Sequence, residues 1–150
     1  MVKAGETVLA IIYRYQNGVL QVVMQGSESL IPKYQYQGRL DKFPGGRVEP
    51  YDTSLRFACA REVDEELWLR LKDGVELAPV HEYIDRRERK IFIPIHIDDF
   101  EGEMRTVVII DNSSILHPPY WIDFTPAVIQ TKLYRTHQPG GWAFYNKYKR

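Results

Sequence analysis

Two runs of β-branched and aromatic residues open the chain, Val8 to Tyr15 and Val19 to Met24. Asn17-Gly18 between them is a preferred two-residue hairpin turn. The segment from Gly26 to Asp41 is polar, with Tyr34 and Tyr36 alternating, and reads as a loop with a short strand leading into Phe43-Pro44-Gly45-Gly46. Beyond Pro50 the pattern turns helical. Thr53 and Ser54 are good N-caps and no Gly or Pro interrupts the run before Gly74, which predicts a helix over 54–71. Val75 to Tyr83 and Lys90 to Ile97 are again strand-like, and the charged turn 85–89 between them makes a second hairpin. Thr106 to Ile110 supplies one more strand. Thr125-Pro126 starts a second helix, because Thr caps and Pro is pre-organised at the first helical position; it is expected to run to about Arg135.

Strands outnumber the two helices, and neither helix is spaced as a regular βαβ crossover, so the fold class is α+β with a mixed sheet. A chain of 150 residues with 44% hydrophobic positions fits one domain over 1–150 that buries roughly two-thirds of its unfolded surface. Acidic and basic residues balance at 20 each, which gives no reason to expect a nucleic-acid coat or a membrane-surface peptide. Any polyanion site must be local. The single cysteine, Cys59, makes neither an internal disulfide nor a thiolate metal cage, so a reduced, cytoplasmic chain is the simpler expectation. The longest apolar stretch, Val8 to Tyr13, is too short for a membrane span.

The first helix carries Arg61-Glu62-Val63-Asp64-Glu65-Glu66. At the helical rotation per residue, Glu62, Glu65 and Glu66 fall within an arc of about 100°. An acidic helix face is by default solvated surface. Clustered carboxylates nevertheless repel one another, and a hard cation such as Mg²⁺ or Mn²⁺ relieves that cost through oxygen ligands. Ala58 and Cys59, one turn earlier, leave room beside the acids.

This core, with Pro44-Gly45-Gly46-Arg47-Val48-Glu49 before it, resembles the box of the Nudix hydrolases, G-x5-E-x7-R-E-U-x-E-E-x-G-U with U bulky and aliphatic. Three positions depart from it. Asp52 stands for the first Glu, eight residues rather than seven precede Arg61, and Trp68 replaces the last Gly, which predicts that the helix runs on toward Gly74. The resemblance implies an α/β/α sandwich, a mixed β-sheet flanked by helices. It also implies that Glu62, Glu65, Glu66 and a carbonyl of Gly45 hold Mg²⁺, with Mn²⁺ as an alternative, for attack of water on a diphosphate linked to another moiety. Such metals neutralise phosphate oxygens and lower the pKa of bound water. Arg61 reads as an orienting partner of the acids. The general base stays open among Glu62, Asp52, Glu101 and Glu103, although Glu101-Gly102-Glu103 reads more readily as a charged turn between strands.

Arg39 and Arg47, around the glycine loop, and Arg86 and Arg87, in the basic turn, are the candidate substrate-phosphate contacts, although a solvated face is the default reading of the basic turn. His81, His96, His117 and His137 lack zinc spacing, and Cys59 lacks an activating partner. The expected function is therefore Mg²⁺-dependent pyrophosphohydrolysis of a nucleoside diphosphate derivative, a small-molecule substrate, by a chain with no membrane partner and compatible with a homodimer. Two alternatives stand beside it: a Nudix-like module that binds a phosphorylated metabolite without turnover, and a single-stranded RNA-binding domain using the basic tail and Tyr34, Tyr36, Tyr120 and Trp121.

Overall fold

The structure is a computed structural model that describes residues 5–150. The strands β1 (Glu6–Gln16) and β2 (Val19–Ser29) pair antiparallel with Gln16 opposite Val19, so Asn17 and Gly18 alone make the turn, both at positive φ (52° and 79°). That is the geometry Asn-Gly favours, because its twist matches that of the strands. After β2 the expected loop contains a 3₁₀ helix over Pro32–Gln37, then β3 (Leu40–Lys42) and β4 (Gly45–Arg47). The helix α1 (Leu55–Leu67) follows, then β5 (Arg70–Leu71), β6 (His81–Asp85), β7 (Glu88–His96), β8 (Phe100–Glu101), β9 (Ile109–Asp111), β10 (Ser114–Leu116) and β11 (Tyr120–Asp123). Two helices close the chain, α2 (Pro126–Thr131) and α3 (Gln138–Tyr148).

One sheet runs β6-β7-β1-β2-β10-β9, with β3 and β11 also on β2 and β4 on β1, while β5 and β8 pair separately. The β1–β7 pairing is parallel and its neighbours are antiparallel, so the sheet is mixed as expected. Side-chain alternation divides the core between its two faces. Val8, Ala10 and Ile12 of β1, with Ile91, Ile93 and Ile95 of β7, pack beneath Ala58, Cys59, Val63 and Leu67 of α1. Leu9, Ile11 and Phe92 point the other way, against Ile129 of α2 and Phe144 of α3. Both faces are thereby covered, which is why β1 reads as a continuous apolar run.

Several boundaries differ from the sequence reading. α1 does not run past Trp68: Ser54 caps it through a hydrogen bond from Phe57 N, and it stops at Leu67 with Trp68 at φ +66°. Trp68 thus holds the left-handed position that the family's glycine would fill, and the residue is 51% exposed. Val75 to Val80 is irregular and the hairpin strand begins at His81. The strand expected from Thr106 begins at Ile109. α2 stops at Thr131, short of Arg135. The third helix, α3, was not expected because it contains Pro139-Gly140-Gly141. Pro139 lies in its first turn, where no N–H is needed, and Gly140 lies so close to the Phe92 ring that a Cβ would come within 2.2 Å. Among the described residues no helix is long and apolar enough to cross a membrane.

Candidate active site

The glycine pair and α1 form one wall system. Gly45 has φ +152°, and a Cβ there would lie 2.1 Å from the Val8 carbonyl oxygen, so the close approach of β4 to β1 requires glycine. At Gly46 a Cβ would lie 2.6 Å from Glu62 Oε1, in the space the carboxylate occupies. Small residues in β4 therefore admit the acids of α1 to a cavity of about 250 Å³, whose lining includes Gly45, Gly46, Glu49, Glu62, Glu66 and Asp111.

Within it, Glu62, Glu66 and Asp111 each offer a carboxylate oxygen, all within 4.8 Å of one another. Burial pushes the Glu62 carboxyl up to about 7 against the pull of Arg61. Burial and then the nearby Glu62 also raise Glu66 well above the ordinary range. Hard oxygen donors at this spacing, short of compensating positive charge, fit a Mg²⁺- or Mn²⁺-type cation. Glu66 is fixed from two sides, its Oε1 accepting from Gly45 N at 3.1 Å and from Gln25 Nε2 at 2.5 Å.

Behind Glu66 lies Arg105, which is 1% exposed. Its Nε donates to the Glu66 backbone carbonyl at 2.7 Å, and its Nη2 donates to Gln25 Oε1 at 2.9 Å and the His117 carbonyl at 3.0 Å. Arg105 thereby ties α1, β2 and the chain after β10 into one frame around the acid. On the opposite flank, Arg61 donates from Nε and Nη2 to the two oxygens of Asp52, at 2.9 and 2.8 Å, and from Nη1 to Glu62 at 3.1 Å. The paired guanidinium holds Asp52 below the usual carboxylate range. Asp52 also accepts from Glu49 N at 2.7 Å, so it is a bound positioning group with no free oxygen for a proton.

The remaining sequence candidates divide. Glu65 does not join the cluster: its side chain is 48% exposed and pairs with Arg61 at 3.3 Å. Gly45 lines the cavity, and it is its N–H that meets Glu66. Arg47 lines the cavity with an exposed side chain, 3.7 Å from Glu88. Arg86 reaches a neighbouring cavity, whereas Arg87 lines neither. Arg39 lies outside both and pairs with Asp41 at 3.4 Å. Glu101 pairs with Arg70 at 3.0 Å. Glu103 is exposed and lines neither cavity.

The carboxylate that does arrive from beyond α1 is Asp111, at the end of β9. Neither it nor Arg105 was singled out from sequence. Both act through contacts distant in the chain, and the one local signal was the turn-forming Asp111-Asn112 pair. Cys59 is buried in the core with its thiol pushed up to about 12, as a packing residue.

A sequence profile of the NUDIX domain matches residues 3–138. No curated protein matches the chain in sequence. The solution structure of the E. coli ORF135 protein is similar, at 26% identity over 94% of this chain and 88% of that one, with a TM-score of 0.64. Two further structures share the fold at 16% identity and a TM-score of 0.67. One, from a study of MutT from Aliivibrio salmonicida and Vibrio cholerae, matches over 95% of this chain and 98% of its own. The other is the NUDIX domain of Shewanella oneidensis NrtR complexed with ADP ribose, over 98% and 90%.

Proposed function

The chain belongs to the NUDIX family, hydrolases of phosphorus-containing anhydrides, and we propose that with Mg²⁺ or Mn²⁺ it hydrolyses the diphosphate linkage of a nucleoside diphosphate derivative. The observation that carries this reading is the convergence of Glu62, Glu66 and Asp111 in one cavity beside the Gly45-Gly46 strand. With Glu49 added, four carboxylates face Lys42 and Arg47 there, so a diphosphate would be repelled without a bridging cation. That the NUDIX domain of NrtR was solved with ADP ribose supports a substrate of this class.

Glu62, Glu66 and Asp111 would hold the divalent cation, which when bound would neutralise the phosphate oxygens and lower the pKa of a bound water. The protein's own contribution is positioning. Gln25, Gly45 N and Arg105 hold Glu66, and Asp52 through Arg61 holds the neighbouring Glu62. Lys42, in the cavity wall, offers the diphosphate a cationic donor.

The test is release of cleavage products, resolved by anion-exchange chromatography, from nucleotide sugars, dinucleoside polyphosphates, ADP-ribose, coenzyme A and oxidised nucleotides, with Mg²⁺, Mn²⁺ or EDTA. Release that requires the metal and leaves two phosphorylated or phosphate-bearing products is expected. Release that persists in EDTA, or none on any diphosphate, would overturn the reading.

A further inference from the structure

On the other side of the Gly45-Gly46 strand lies a second cavity of about 350 Å³, which shares Lys42, Phe43, Gly45 and Gly46 with the first as a common wall. The two are opposite in charge. The first gathers carboxylates; the second gathers Lys42, Arg86, Lys90 and Arg135 against the single carboxylate of Asp85.

These cations are poorly compensated. Lys90 Nζ is 3.5 Å from Glu88, and Lys42 Nζ lies 4.6 Å from the centre of the Tyr134 ring. Arg86 and Arg135 make no side-chain hydrogen bond or ion pair among the described residues. Lys42 sits below its ordinary pKa, chiefly through burial, with Lys90 adding to the shift and Glu66 opposing it.

Two neutral groups add donors. His137 is buried and its Nδ1 accepts from Phe43 N at 3.1 Å, so its proton is on Nε2. Thr136, also in the wall, has a buried hydroxyl with no hydrogen-bond partner among the described residues. A neutral sugar or base bound here would leave four like charges crowded, whereas a phosphoryl group would take charge-assisted hydrogen bonds from them.

We infer that this cavity binds a second anionic group of the substrate: the diphosphate derivative cleaved at the acidic cluster carries a further phosphoryl group on the moiety lying beyond the Gly45-Gly46 wall. This rests on the hydrolase reading above and narrows its substrate class. Lys42, which lines both cavities, stands between the linkage to be cleaved and the distal phosphate.

The anion site needs no metal, and that separates its test from the test of hydrolysis. Inorganic phosphate is titrated into the full chain in EDTA and followed by NMR chemical shifts. Saturable binding is expected, weakened about tenfold or more in the Arg86→Gln/Arg135→Gln double variant. Both side chains are exposed, so the variant should keep the parent's circular dichroism.

Turnover then separates a free phosphate site from a substrate phosphate site, using pairs that differ by one phosphate: NADPH against NADH, and coenzyme A against its dephospho form. The parent should show a KM about tenfold lower for the phosphorylated member of at least one pair, and the double variant should lose that preference. Absence of metal-free phosphate binding, binding unchanged by the double substitution, or equal KM within both pairs overturns the inference and leaves Mg²⁺-dependent hydrolysis standing. Phosphate binding that responds to the substitutions, with no turnover of any diphosphate, overturns the hydrolase reading and keeps the anion site.

Discussion

Arg61 grips Asp52 through two parallel hydrogen bonds, Nε to Oδ1 at 2.9 Å and Nη2 to Oδ2 at 2.8 Å, and the Asp52 side chain is wholly shielded from water. Its remaining nitrogen meets Glu62 at 3.1 Å, so the glycine-loop segment and the acidic helix face are held by one guanidinium. Asp52 is one methylene shorter than the family's glutamate, and the box is one residue longer, yet the fork still closes.

Asp52→Asn should therefore be costly for stability. It removes the charge opposite a guanidinium whose side chain is only 14% exposed, and breaking such a pair costs about 3 kcal/mol. Urea denaturation should show a lower midpoint with an unchanged slope. A change below ~0.5 kcal/mol would mean that Glu62 and Glu65 alone suffice to hold Arg61.

Trp68→Gly should raise the melting temperature. Trp68 holds φ +66°, a conformation that costs an L-residue about 1 kcal/mol and glycine almost nothing. Trp68 is half-exposed and not among the partly buried side chains packed against the core, so little contact is lost. A gain of about 2–4 °C is expected for a chain of this size, with Trp68→Ala showing no gain. A lower melting temperature in the glycine variant would show that the indole contributes more than the backbone strain removes.

The helix stop at Trp68 also shows what was legible in the sequence and what was not. The β1–β2 hairpin and the Arg61–Glu66 face were readable because their determinants are local: an Asn-Gly turn and a helical spacing of acids. α3 was not readable, since Gly140-Gly141 signals a break, and only the Phe92 and Leu133 side chains pressed against them explain why a helix wants glycine there. Arg105 reaches Glu66 across 39 positions and Gln25 across 80, so no window of sequence contains the relationship. Arg86 and Arg87 read as a solvated turn. In the structure they form a two-residue hairpin turn at φ +51° and +67°, and only Arg86 reaches a cavity.

Buried His137 should make the protein acid-sensitive in a separable way. Burial holds its folded pKa well below 6.5, with Lys42 and Lys90 adding to the effect. Its contribution is thus complete above pH 6.5 and falls away below it, as the unfolded chain takes a proton that the folded chain refuses. Glu62, whose folded pKa is raised to about 7, has the opposite slope between its ordinary value and neutrality. That slope is common to parent and His137→Gln and cancels in their difference. In EDTA, the stability difference between parent and variant should fall by up to about 1.4 kcal/mol per pH unit between pH 6.5 and 5. A pH-independent difference would show that His137 takes its proton without unfolding.

The acidic cluster itself orders the box glutamates by geometry. Glu66 is buried and Asp111 half-buried within the cluster, whereas Glu65 is half-exposed and engaged with Arg61. Glu66→Gln and Asp111→Asn should each lower Mg²⁺-dependent hydrolysis by at least about 10²-fold, and Glu65→Gln by less, about tenfold. Glutamine at 66 keeps an oxygen for Gly45 N, so the fold should survive. Removing one of two repelling buried carboxylates should leave the metal-free variant at least as stable as the parent. Metal linkage supplies an independent readout, because a cation that binds only the folded chain raises the melting temperature by mass action. Mg²⁺ should raise it in the parent and in Glu65→Gln, and the rise should be lost in Glu66→Gln and Asp111→Asn. If Glu65→Gln abolishes both turnover and the Mg²⁺ shift while Glu66→Gln and Asp111→Asn retain them, the cation sits on the exposed edge of α1 and the buried cluster is not its site.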